Sequence, residues 1–125
     1  MKLSTLTALA VAAAVAAPVR AHHSFAMFDN EKNITLEGTI REFQWTNPHT
    51  WTQVLVKDAS RKEAEWSIEG GSPNSLTRSG WKRSSIKAGD KAILVIHPLK
   101  NGSPGGSMVT ISVNGEKVCT PREAA

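Results

Sequence analysis

The residues of this chain best suited to chemistry are its four histidines, at positions 22, 23, 49 and 97. An imidazole nitrogen is a ligand for divalent metals and a proton carrier near neutral pH. His22 and His23 follow a segment with the pattern of a secretory leader. Lys2 gives a positive start, and Leu3 to Ala17 is apolar but for Ser4, Thr5 and Thr7. Val19 and Ala21 then supply small residues for a cut after Ala21. That cut makes His22 the first residue. Its free amine and its own ring then chelate one metal ion, and a nitrogen from elsewhere completes a T-shaped site. Copper(II) is the preferred metal, because it favours nitrogen ligands in a tetragonal plane and outcompetes other divalent first-row ions. His23 is the alternative anchor, through the amine, a deprotonated amide and its ring. Either chelate requires processing and deprotonated ligands.

His49 follows Asn47-Pro48, and His97 precedes Pro98. Both are candidates for the completing ligand. Met27 and Met108 are candidate thioether donors to copper(I). Taken singly, each histidine also suits a hydrogen-bonded turn, and each methionine suits a core.

Trp45, Trp51, Trp66 and Trp81 dominate the aromatic content of a chain without Tyr. Trp66 falls in the inward register of its strand. Trp45, Trp51 and Trp81, with Asn47 in the loop between the first two, form a candidate surface for a glycan, a peptide or a partner protein. Core packing is the alternative for each ring. No G-x-S-x-G, Walker loop, H-E-x-x-H or cysteine pair is present, so binding is expected rather than catalysis. An oxidative copper enzyme built on the same chelate is the remaining enzymatic alternative. Glu63, Glu65 and Glu69 share one strand and are expected to form a solvated face.

The elements that must position these residues are strands. Ile34, Leu36, Gly38 and Ile40 alternate with polar residues, as do Thr52, Val54 and Val56, then Ala64, Trp66 and Ile68, and later Val109, Ile111 and Val113. Lys91 to His97 is nearly continuous in apolar character, as in a strand buried on both faces. Asn114-Gly115 marks a hairpin, with a short final strand near Lys117 and Val118. One helix is predicted over Asn74 to Ser79, with Ser72 as cap, Pro73 at its first position and Gly80 at its end. Asn101 to Ser107 has a loop's composition. Three strands, a helix, then two strands is the order of an OB-fold, a small five-stranded barrel. In such a barrel Gly38 permits a sharp bend. A β-sandwich would need more strands than the pattern offers.

The predicted organisation is a leader over 1–21 and one OB-like barrel over 22–125. Losing Lys2 and Arg20 with the leader halves the formal charge of +4. The basic doublets Arg61-Lys62 and Lys82-Arg83 form no stripe, so nucleic acid is not expected as a partner. The apolar run is shorter than a membrane span requires, so no membrane anchor is expected after cleavage. A periplasmic protein or a small ligand is the expected partner. Cys119 is the only cysteine, which excludes an intramolecular disulfide.

Several strings occur together: Ala21-His22-His23-Ser24-Phe25-Ala26 with Phe28-Asp29, Trp45-Thr46-Asn47-Pro48-His49, and Glu69-Gly70-Gly71-Ser72-Pro73-Asn74. Gly80-Trp81, Gly89-Asp90 and His97-Pro98 follow. Together they resemble small exported bacterial proteins grouped as a domain of unknown function, number sixty-one fifty-two. The resemblance implies a periplasmic or secreted bacterial location and a small β-rich domain. It brings no established activity. Its pattern includes His22, His23, His49 and His97, and it fades over Ser107 to Ala125.

Overall fold

The computed structural model describes residues 25–118 and Thr120. The expected leader, His22 and His23, and Cys119 fall on residues outside those described. The chain forms β1 (Ile34–Gln44), β2 (Trp51–Lys57), β3 (Glu63–Glu69), α1 (Pro73–Arg78), β4 (Lys91–Pro98), β5 (Gly105–Val113) and β6 (Glu116–Val118). Short 3₁₀ turns precede β1 at Phe25–Met27 and follow α1 at Arg83–Ser85. The strand order is β3-β2-β1-β4-β5-β6, and β3 also pairs with β5 in parallel through Ser67, Ile68 and Glu69. That extra pairing closes five strands into a barrel of OB type, and β6 extends β5 beyond it. Among the described residues no helix is long and apolar enough to cross a membrane.

Alternation produces this core directly. Leu36, Ile40, Val54, Ile68, Leu94, Ile96 and Ile111 fill the barrel and are nearly or wholly buried. Each such side chain contributes about 1.5–3 kcal/mol by leaving water. Leu76 of α1, Trp81 and Ile86 join the same cluster. Ser72 caps α1 as its type suggests, its hydroxyl accepting from the Ser75 N–H at 3.1 Å.

Four details differ from the sequence pattern, each for a physical reason. β1 continues to Gln44 because its pairing with β2 slips at Arg41, so Phe43 turns inward three residues after Ile40. Ala64 is exposed, since the inward register of β3 is buried only nearer its C-terminal end. β4 alternates over its first half, where Ile93 is 49 % exposed, and is buried on both sides only at Ile96 and His97. Gly105 and Gly106 have loop composition yet belong to β5. A Cβ on Gly106 would lie 2.4 Å from the His97 carbonyl oxygen, so only glycine lets β5 approach β4 there.

Candidate functional site

One end of the barrel collects the residues with chemistry. Trp51 of β2 registers with Glu69 of β3, Glu69 with Ser107 of β5, and Ser107 with His97 of β4. With strands about 4.8 Å apart, Glu69 and His97 stand roughly 10 Å apart along this rank. Registered neighbours share a face, and here it is the outer face of the barrel, opposite Thr52 and Ile68. An outer face is normally solvated, but the chain ahead of β1 crosses this one. Phe28 bridges Leu99, the Asp29 N–H donates to the Pro98 carbonyl at 2.9 Å, and the Lys100 N–H donates to the Met27 carbonyl at 3.0 Å. Under this crossing Glu69 is 8 % exposed and His97 9 %.

His97 Nδ1 lies 3.0 Å from the Lys32 carbonyl. A carbonyl only accepts, so Nδ1 carries the proton, and in the neutral ring the lone pair is on Nε2. Metal-binding histidines are commonly oriented by such a bond from the other ring nitrogen.

His49 comes from the loop between β1 and β2. Its carbonyl accepts from the Thr46 hydroxyl at 2.7 Å. The next residue, Thr50, is buried and fastened to the Gly70-Gly71 turn. Its N–H and hydroxyl both donate to the Gly71 carbonyl, at 3.0 and 2.8 Å, and its carbonyl accepts from the Gly70 N–H at 2.8 Å. This clasp brings His49 Nε2 to 3.2 Å from Glu69 Oε1, with the His49 side chain 38 % exposed. The second carboxylate oxygen, Glu69 Oε2, is buried and has no hydrogen-bond partner among the described residues. An unsatisfied buried polar atom costs about 1–3 kcal/mol, and more when charged.

Glu69 faces two adjoining cavities. The larger, about 270 Å³, is walled by Phe28, His49, Glu69, Gly71, Ser75 and Met108. The smaller, about 170 Å³, is an apolar slot between Met27, Phe28, Trp51, Leu99 and Gly105. Phe28 and Glu69 form part of both walls.

The barrel thus places His49 and His97 at the same end, on either side of Glu69 and Ser107. It also makes Glu69 a site residue, although its strand pattern suggests a solvated face. Glu63 and Glu65 are exposed as expected, while Glu69 is covered by a segment forty residues distant in sequence, roughly, which no local pattern records. Among the described residues no three His, Cys, Asp or Glu side chains gather closely enough to hold a metal ion. The described chain brings together one imidazole and one carboxylate.

The tryptophans divide differently. Trp81 is 3 % exposed and packs on Phe43 with ring centroids 5.9 Å apart, so it belongs to the core and is withdrawn from any stacking surface. Trp45 is half-buried, edge-on to Phe43 at 5.9 Å. Trp51 is half-buried along the apolar slot, and Asn47 is exposed.

The fold defines a small OB-type barrel with one covered end. Residues 9–109 match the model of a family of unknown function, DUF6152, and the chain belongs to that family. The matched span contains all four histidines, Glu69 and Met108, and ends before Cys119. No curated protein matches the sequence. Among solved structures, the chain is similar to the mitochondrial single-stranded DNA binding protein Rim1 from S. cerevisiae. The TM-score is 0.51 at 8 % identity, over 68 % of this chain and 95 % of that one. At that identity the likeness is one of fold.

Proposed function

We propose that this is an exported bacterial metal-binding protein, with copper as its preferred ion, held where the processed N-terminus meets His49 and Glu69. The supporting observation is the Glu69 carboxylate, nine-tenths buried, with one oxygen on His49 and the other without a partner among the described residues. A buried carboxylate half-satisfied by an imidazole is the anionic half of a cation site. Cleavage after Ala21 would supply the other half. His22 would give its amine and ring, His49 the third nitrogen, and Glu69 a charged oxygen. His97 is the alternative third nitrogen and His23 the alternative anchor. Chain length permits the approach, because Phe28 already walls the cavity. Five residues back to His23 span at most about 17 Å.

The structural neighbour is a single-stranded DNA binding protein. Two features oppose transferring that role here. Arg41, on the outer face of β1, is engaged by Glu65 and Glu42. Around it exposed Glu37, Glu42, Glu63 and Glu65 are interspersed with Lys57 and Lys91, so the face carries no basic stripe for phosphate.

A second reading is a metal-free interaction module. It is favoured by the apolar slot beside half-buried Trp51. Without Trp81 its aromatic platform is reduced to two partly covered rings.

The mass of the intact exported protein, taken under non-denaturing conditions after growth with copper, tests the proposal. The expected species begins at His22 and carries one copper ion. A chain beginning at His22 that stays metal-free in excess copper contradicts it and leaves the interaction module.

A further inference from the structure

We propose that the same cavity also holds copper(I), with the Met108 thioether as its soft ligand. This rests on the copper reading above and adds to it an oxidation state and a sulfur donor.

The backbone places Met108 by a specific device. The β4–β5 pairing slips by one residue, so that Val95 faces Thr110 while Ile96 faces Met108, and Val109 is the extra residue. In an unbroken ladder Met108 would stand opposite His97 on the outer face. The bulge instead puts it on the side of Ile96, where it packs against the core cluster and lines the cavity that His49 and Glu69 also line. Bulges recur where a side chain must be re-aimed beside a site. Core packing alone does not require a thioether at this wall, since leucine fills a similar volume.

The donor chemistry then sorts by oxidation state. Copper(II) takes nitrogen and oxygen in a plane, which His49 and Glu69 can supply. Copper(I) prefers soft sulfur and imidazole. A thioether carries no charge and no proton, so it ligates without deprotonation. Carboxylate, imidazole and thioether lining one cavity allow either ion to be held by a different subset of the same residues. Met27 provides the contrast, being 37 % exposed and lining the neighbouring slot.

The test uses the mature chain from His22 in a Cys119→Ser background, so that methionine is its only sulfur source. Copper(I) is titrated without oxygen against a chromophoric copper(I) chelator, and copper(II) against a copper(II) chelator. Met108→Leu is expected to weaken copper(I) binding by more than about tenfold and to leave copper(II) binding unchanged. Met27→Leu should change neither. X-ray absorption of the copper(I) form should show a sulfur neighbour, a readout that survives if Met108→Leu fails to fold. Unchanged copper(I) affinity in Met108→Leu overturns the inference, as does a copper(I) spectrum without sulfur. A wild-type chain that binds copper(II) but not copper(I) overturns the inference alone. One that binds neither ion overturns the copper reading with it.

Discussion

Glu69→Gln is expected to weaken copper(II) binding by about 100-fold and to make the metal-free barrel more stable by about 1 kcal/mol. The two effects share one cause. Glu69 Oε2 is buried without a partner among the described residues, while Oε1 sits 3.2 Å from His49 Nε2. Glutamine keeps an acceptor for His49 and exchanges an unpartnered buried charge for an unpartnered amide N–H, which costs less to bury. The same change deprives a bound cation of its anionic ligand. A domain of this size should gain about 4–8 °C in Tm per kcal/mol. Isothermal titration and a thermal melt of the metal-free protein check both halves. A variant that melts lower than the parent and binds copper equally well would make Glu69 a structural partner of His49 only. Opposite movement of stability and binding is the usual mark of a residue retained for function.

Gly106→Ala is expected to destabilise the barrel by about 3 kcal/mol, through a clash that cannot relax by moving a side chain alone. The added Cβ would meet the His97 carbonyl oxygen at 2.4 Å and Ile96 Cδ1 at 2.7 Å. β5 would have to leave β4 at the point where it also closes the barrel against Ile68. The total stability of such a domain is about 5–15 kcal/mol, so the loss is a large share. Chemical denaturation gives the value, and a thermal melt should fall by more than about 10 °C. Copper(I) affinity should fall too, because Met108 follows two residues on in β5. Tolerance of the alanine within about 1 kcal/mol would mean that the strands have room to separate.

Local chemistry made much of the barrel legible. Residues alternating with period two gave the strands, Ser72-Pro73 and Gly80 bounded the helix, and Asn114-Gly115 marked the last hairpin. In the structure Asn114 and Gly115 both have positive φ, as such a turn demands. What alternation could not record was a change of register. The slip at Arg41 hid the continuation of β1 to Gln44, and the extra residue Val109 hid the inward turn of Met108.

The site was legible only by residue type. Histidine at 49 and 97 is conspicuous in any sequence, and both rings lie at the covered end. Glu69 was not conspicuous, because its burial is imposed from outside its strand. Glu65, four residues earlier on the same face, remains in solvent. The difference is the passage of Met27 to Lys32 over one end of the sheet, a long-range event. Ile93 shows the converse, as an apolar residue left exposed where that passage does not reach. By type alone Trp81 suits either a surface ring or the core. The neighbouring Phe43, turned inward by the slip in β1, takes it into the core.

The measurement that bears most directly on the copper site compares two chains differing only in where they begin. One starts at His22, and the other keeps Pro18 to Ala21, which retains every side chain of the site but moves the amine away from His22. Copper(II) titration followed by electron paramagnetic resonance should show one ion per mature chain, with nitrogen hyperfine structure. The longer chain should bind at least about 100-fold more weakly. Equal affinity and identical spectra from the two would show that the processed terminus takes no part in holding the metal.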